Sequence, residues 1–178
     1  MQCPSCRSGV LKPAHVEHGP ACDTCDECAG ELLDMAAYGD WLSSDEAASE
    51  QPPTPEEFEV ADSKRALCCP QCQRIMVKFK VASDASHSID FCLSCSLVWL
   101  DSGEWEYLKS KGLHTRIRSI STDSWQRKIR EQIGARMRIE NFKQSIGEEA
   151  FPVTEKFRLW LAEQPNRAEI LRYLNVVE

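Results

Sequence analysis

Ten cysteines stand in 178 residues, and eight of them form four Cys-x-x-Cys pairs: Cys3 with Cys6, Cys25 with Cys28, Cys69 with Cys72, and Cys92 with Cys95. A Cys-x-x-Cys turn puts two thiolates on one side of a tight loop. Two such turns joined by a hairpin place four sulfurs at the corners of a tetrahedron, about 2.3 Å from a central ion. Two such sets fit two zinc ions per chain. Four thiolates leave no coordination position for water, so the metal would be structural and not hydrolytic. Rubredoxin-like iron and disulfides are the competing uses of the same residues. The start, Met1-Gln2-Cys3-Pro4, carries neither a basic stretch nor an apolar run, so no signal peptide is expected and a cytoplasmic location follows. No run of 18 apolar residues is present, so no membrane insertion is expected. Paired cysteines in a reducing compartment favour zinc over disulfides.

The pairs belong to an internal repeat. Cys3-Pro4-Ser5-Cys6 returns as Cys69-Pro70-Gln71-Cys72, and Leu32-Leu33-Asp34 lies where Trp99-Leu100-Asp101 lies. Eighteen residues separate the pairs in the first copy and nineteen in the second. Aromatics follow each copy: Tyr38 and Trp41, then Trp105 and Tyr107. The register of the first copy stays open, since Cys22, Cys25 and Cys28 offer two overlapping pairs. The match to the sequence after Cys95 favours Cys28 and leaves Cys22 and Cys68 spare. His15 and His18 are surface residues in this reading, although either has the chemistry to replace a ligand.

These sites need elements to hold them. Each copy spans about 40 residues, a size at which an apolar core alone rarely holds, so the metal supplies folding energy. Ile75, Val77, Phe79 and Val81 alternate with more polar neighbours as one strand. Ile89–Phe91 returns as its partner, and Asp101 or Ser102 caps a short helix through Leu108. The expected organisation is a zinc ribbon at 1–42, an acidic Pro-rich linker at 43–66, a second ribbon at 67–110 and a helical region at 111–178. The fold class is a small metal-stabilised α+β protein: two ribbons of short hairpins and zinc knuckles, followed by a C-terminal helical segment.

The run Cys-Pro-x-Cys, spacer, Cys-x-x-Cys and Val98-Trp99-Leu100-Asp101-Ser102-Gly103-Glu104 resembles the zinc-finger family named after transcription factor IIB. The resemblance covers about 1–42 and 68–108 and implies zinc binding and little more. Two departures stand out. The family tends to have glycine soon after the last cysteine, which the first copy keeps as Gly30 and the second replaces with Ser96-Leu97. The first copy has Leu32 in place of the tryptophan. Ribbons serve many unrelated roles, so the name assigns no function.

The net charge of −7 is unevenly spread. Residues 1–108 carry 7 basic and 19 acidic side chains, a net of −12, whereas 109–143 carry 10 basic and 3 acidic, a net of +7. Residues 123–146 read as an amphipathic helix, with Asp123 and Gln126 as a capping box and Gly147 as its end. Trp125, Ile129, Ile133 and Met137 form one apolar stripe and the candidate partner-binding surface. Ile139, Phe142 and Ile146 form another. Arg127, Arg130 and Arg138 lie opposite the first stripe and are the candidate nucleic-acid contacts. Two shorter helices are expected, from about Thr154 to Gln164 and after Asn166. No phosphate-cradling glycine loop, nucleophile elbow or open metal motif is present, so the chain reads as no enzyme. The favoured function is a protein-interaction adaptor whose C-terminal helices engage a protein partner, because an acidic body repels phosphate. The alternative is a nucleic-acid-binding or transcription-associated regulator using the basic helix over 116–143.

Overall fold

A computed structural model describes residues 1–16, 18–44, 63–85 and 87–176. Of the linker expected over 43–66, residues 45–62 lie outside the described residues. The described chain forms two compact units, Met1–Glu131 and Gln132–Glu178.

The first unit holds six strands: β1 (Leu11–His15), β2 (Ala21–Cys25), β3 (Glu31–Asp34), β4 (Val77–Lys80), β5 (Ser88–Cys92) and β6 (Leu97–Leu100). An isolated hairpin is marginal in water, and a third strand with an apolar face is needed for stability. Each copy therefore adds a strand after its second cysteine pair. That third strand presents a bare edge, and the two edges pair with each other. The result is one antiparallel sheet in the order β1-β2-β3-β6-β5-β4. The register at the junction is symmetric between the copies: Leu32 faces Trp99, its own counterpart, while Glu31↔Leu100 and Leu33↔Val98 exchange. A local two-fold axis thus passes through the Leu32–Trp99 pair.

Alternation along the strands divides the apolar residues between two faces. Leu33, Val98 and Leu100 face one cluster, with the helices α1 (Met35–Leu42), α2 (Glu104–Ser110) and α3 (Ile117–Ile120). Its centre is aromatic: Trp41 and Trp105 meet edge to face at 5.6 Å, and the Tyr38 hydroxyl donates to the His114 carbonyl at 2.7 Å. Leu32, Leu97 and Trp99 face the other cluster, with Leu11, Leu67, Met76 and the cysteines of both sites.

The sequence places the short helix after β6 correctly and its cap wrongly. Neither Asp101 nor Ser102 caps α2; Gly103, in the left-handed region at φ 82°, takes that place. The Asp101 carboxylate is engaged elsewhere, accepting from the Trp99 indole N–H at 2.8 Å and from the Ser63 amide at 2.6 Å. Its counterpart Asp34 does cap α1, accepting from the Ala36 amide at 2.7 Å.

Glu31, half-buried on β3, has its carboxyl pushed up from 4.5 to about 7, chiefly by burial and further by Glu106. A folded state that holds this proton is stabilised below the ordinary pKa and loses the contribution as pH rises through about 7. Glu31→Gln should therefore stabilise the protein at pH 8 by about 1–3 kcal/mol and flatten the fall in stability between pH 4.5 and 7. Urea midpoints at pH 5 and pH 8 measure both effects.

Beyond the sheet, α4 (Asp123–Ile146) has the bounds its amphipathic pattern predicts, but the expected Asp123–Gln126 capping box does not form. The Thr122 hydroxyl accepts from the Trp125 amide at 3.3 Å, and the Gln126 side chain is drawn away to the Lys80 and Ile120 carbonyls. The helix is followed by α5 (Ala150–Ala162) and α6 (Arg167–Leu174). The first turns of α4 belong to the first unit, where Gln126 accepts from the Lys80 amide at 3.3 Å and donates to the Lys80 carbonyl at 2.9 Å. One side-chain amide thereby covers part of the free edge of β4.

Candidate metal centres

Each site is built from two knuckles held at one end of a hairpin. In the first, the Cys3 amide donates to the Gly9 carbonyl at 3.0 Å and the Cys25 amide to Gly30 at 2.8 Å. In the second, the Cys69 amide donates to Arg74 at 2.8 Å and the Ser96 amide to Cys92 at 2.8 Å. The residue after each pair, Arg7, Ala29, Gln73 and Ser96, is in the left-handed region, with φ between 55° and 62°. That conformation swings the chain back under the sulfurs, so that backbone N–H groups point at them; the Gly9 amide lies 3.3 Å from Cys6 Sγ. A non-glycine residue there costs about 1–2 kcal/mol. Gln73→Gly should therefore raise stability by about 0.5–1 kcal/mol, after allowance for the entropy of glycine in the unfolded chain. The thermal midpoint of the zinc-loaded protein measures it.

Four Sγ atoms converge in each group: Cys3, Cys6, Cys25 and Cys28, then Cys69, Cys72, Cys92 and Cys95, all within 4.8 Å of one another. Zinc–sulfur bonds of 2.3 Å in a tetrahedron require S···S edges of about 3.8 Å. The Cys3–Cys28 and Cys6–Cys25 edges are 3.7 Å, and Cys72–Cys92 is 3.6 Å. A disulfide needs about 2.05 Å, and all ten cysteines are free. Both groups fit a zinc ion. Residues 2–44 match the family model described as transcription factor zinc-finger. No curated protein and no solved structure matches the chain. The match covers the first ribbon, and the local two-fold symmetry repeats the same site in the second.

The thiols are unequal. A hydrogen bond from Ser8 and the Gly9 amide bring Cys6 down to about 6, and the Arg74 amide brings Cys72 down to about 7. Burial pushes Cys3, Cys28 and Cys69 up, and hydrogen bonding with Cys72 pushes Cys95 up to about 12. Packed thiols of this kind hold protons that a bound cation must displace, so zinc uptake releases protons and strengthens with pH.

The structure sets Cys28 in the first site and Cys22 apart from it. Cys22 is a buried β2 residue whose Sγ lies 3.5 Å from the Thr24 hydroxyl. Cys68 is half-buried in the bridge to Ile75, outside the second site. His15 and His18 join neither group. The stripe of four apolar residues on α4 is split. Trp125 packs against the sheet's helical side and donates to the Val81 carbonyl at 3.2 Å, and Ile129 is buried. Ile133 is half-buried and Met137 is 60 % exposed. Arg127, Arg130 and Arg138 are all exposed.

Sequence reasoning missed the pair Trp99 and Gly30. A Cβ on Gly30 would lie 2.3 Å from the Trp99 indole, so the glycine next to the first knuckle is the seat of the second ribbon's tryptophan. The two departures from the family pattern are thus one feature. Trp99 lies over Gly30, and across the axis Leu32 lies beside Leu97, the residue in Gly30's place. The signal was present in the repeat alignment, as a large-for-small exchange at two positions.

Proposed function

We propose that this protein is a non-enzymatic zinc-ribbon adaptor that engages a protein partner through its C-terminal helices. One observation carries the reading. Twelve of the seventeen large apolar side chains exposed among the described residues fall between Met137 and Val176, and Leu161 is the buried one there. Exposed apolar patches on monomeric proteins mark interaction sites. Within this unit, Ile139, Phe142, Ile146 and Phe151 line a groove of about 450 Å³ between α4 and α5, with Arg138 and Arg158 among its walls. Apolar floors with charged rims suit an amphipathic partner segment.

Phe142→Glu should abolish capture of the partner in a native pull-down and leave two zinc ions per chain by elemental analysis. Undiminished capture by the variant would refute the groove. The exposed Arg127, Arg130 and Arg138 support a second reading, contact with nucleic-acid phosphates. The same pull-down run with nuclease separates the two: a partner held by the groove survives nuclease, and one held through nucleic acid is lost.

A further inference from the structure

The local two-fold symmetry relates the surroundings of the second ribbon to an open groove on the first. In the second ribbon, the segment Ser63–Leu67 lies against the sheet. The Ser63 amide donates to Asp101 at 2.6 Å, Leu67 is buried with Trp99 and Met76, and the Arg65 guanidinium donates to the carbonyl of Ser5, in the first ribbon's knuckle, at 2.6 Å. Beside them, buried Asp90 is neutralised by Lys78 at 2.7 Å.

Each of these places has a counterpart in the first ribbon. Asp34 stands for Asp101, Leu32 for Trp99, Met1 for Leu67, Gln71 for Ser5, and the register pair Pro13↔Asp23 for Lys78↔Asp90. All six of these residues line one open groove of about 560 Å³. The charge there is unmatched: the lysine that neutralises Asp90 is replaced by Pro13, which leaves Asp23 facing the groove with Asp34.

We propose that this groove binds an extended, basic segment of a partner protein, seated as Ser63–Ala66 is seated on the second ribbon. The occupant's backbone N–H donates to Asp34. An arginine two residues later reaches the Gln71 carbonyl, and a basic side chain takes the place of Lys78 beside Asp23. The chain's own sequence supplies the probe, a synthetic peptide Ser-Lys-Arg-Ala, matching Ser63–Ala66 and stopping short of the place Met1 fills, added to the zinc-loaded protein and followed by amide chemical shifts. Saturable shifts centred on His15, Asp23, Asp34 and Gln71 are expected. Asp23→Lys should weaken binding at least tenfold, Glu131→Lys on α4 should not change it, and a peptide with alanine for arginine should bind more weakly. Asp34→Asn, which keeps the cap of α1, is the second variant if Asp23→Lys loses its zinc. Absence of saturable shifts, shifts elsewhere on the molecule, or equal affinity in the groove variants would overturn the proposal. Phe142→Glu should not move this titration, so the two interaction surfaces stand or fall separately.

Discussion

Cys92→Ser will empty both metal sites, not one. Cys92 ends β5 and pairs with Leu97 at the start of β6, so losing its site frees β6 from its own hairpin. β6 is also the partner of β3, and its Trp99 sits on Gly30, two residues after the ligand Cys28. A structural zinc in a small domain contributes on the order of 10–16 kcal/mol of folding free energy, more than the total stability of most domains. What remains of the first ribbon is a three-stranded piece whose β3 edge and Leu32 are uncovered. Zinc by elemental analysis after gel filtration should fall from two per chain towards none, with amide protection lost across β1–β3 as well as β4–β6. One tightly held zinc with protected β1–β3 amides would show that the ribbons fold independently.

The second large effect is a coupling between Trp99 and Gly30. Trp99→Leu removes a fully buried indole and the donor to Asp101, a loss of about 3 kcal/mol by comparison with other large-to-small core changes. Gly30→Leu drives a side chain into the indole, an overpacking cost of about 1–3 kcal/mol or more. Together they recreate, on one side of the axis, the Leu32–Leu97 arrangement already present on the other. The double variant should be less destabilised than the sum of the singles by about 1–2 kcal/mol, the range for residues in direct contact. Denaturant midpoints of the four proteins close the cycle. Additive losses would mean that the two residues do not share one space.

Much of this was legible in the residues. Six of the eight ligands followed from Cys-x-x-Cys spacing, and the repeat match chose Cys25 with Cys28 over Cys22 with Cys25. The bounds of α4 followed from its periodicity and from Gly147, but its cap did not, since Thr122 takes that place. The helical length of the last two elements was nearly so, with α5 starting four residues before Thr154. Strand β4 is shorter than the alternation from Ile75 to Val81 suggests, because Ile75 is drawn into the bridge with Cys68. The third strands were not legible: Glu31–Asp34 and Leu97–Leu100 are four residues each, too short for a period to declare itself, and their partner lies across the repeat. The left-handed residues were hidden for a different reason. Arg7, Ala29, Gln73 and Ser96 have no propensity for that region and are held there by the knuckle hydrogen bonds. Trp125 and Ile129 fit a helical stripe equally well whether it faces the sheet or a partner, and periodicity alone cannot choose.

The axis through Leu32 and Trp99 has an evolutionary reading. A chain with a single ribbon, pairing with an identical chain along this strand, would have to set the same residue on both sides of the axis. Two tryptophans would then need two glycines, or two leucines two leucines. Duplication within one polypeptide lifts that requirement, because the two sides are encoded separately and can mutate apart. The Trp99–Gly30 and Leu32–Leu97 pairs are what such a released homodimer looks like: each half has become the specific mate of the other, and neither can any longer pair well with itself.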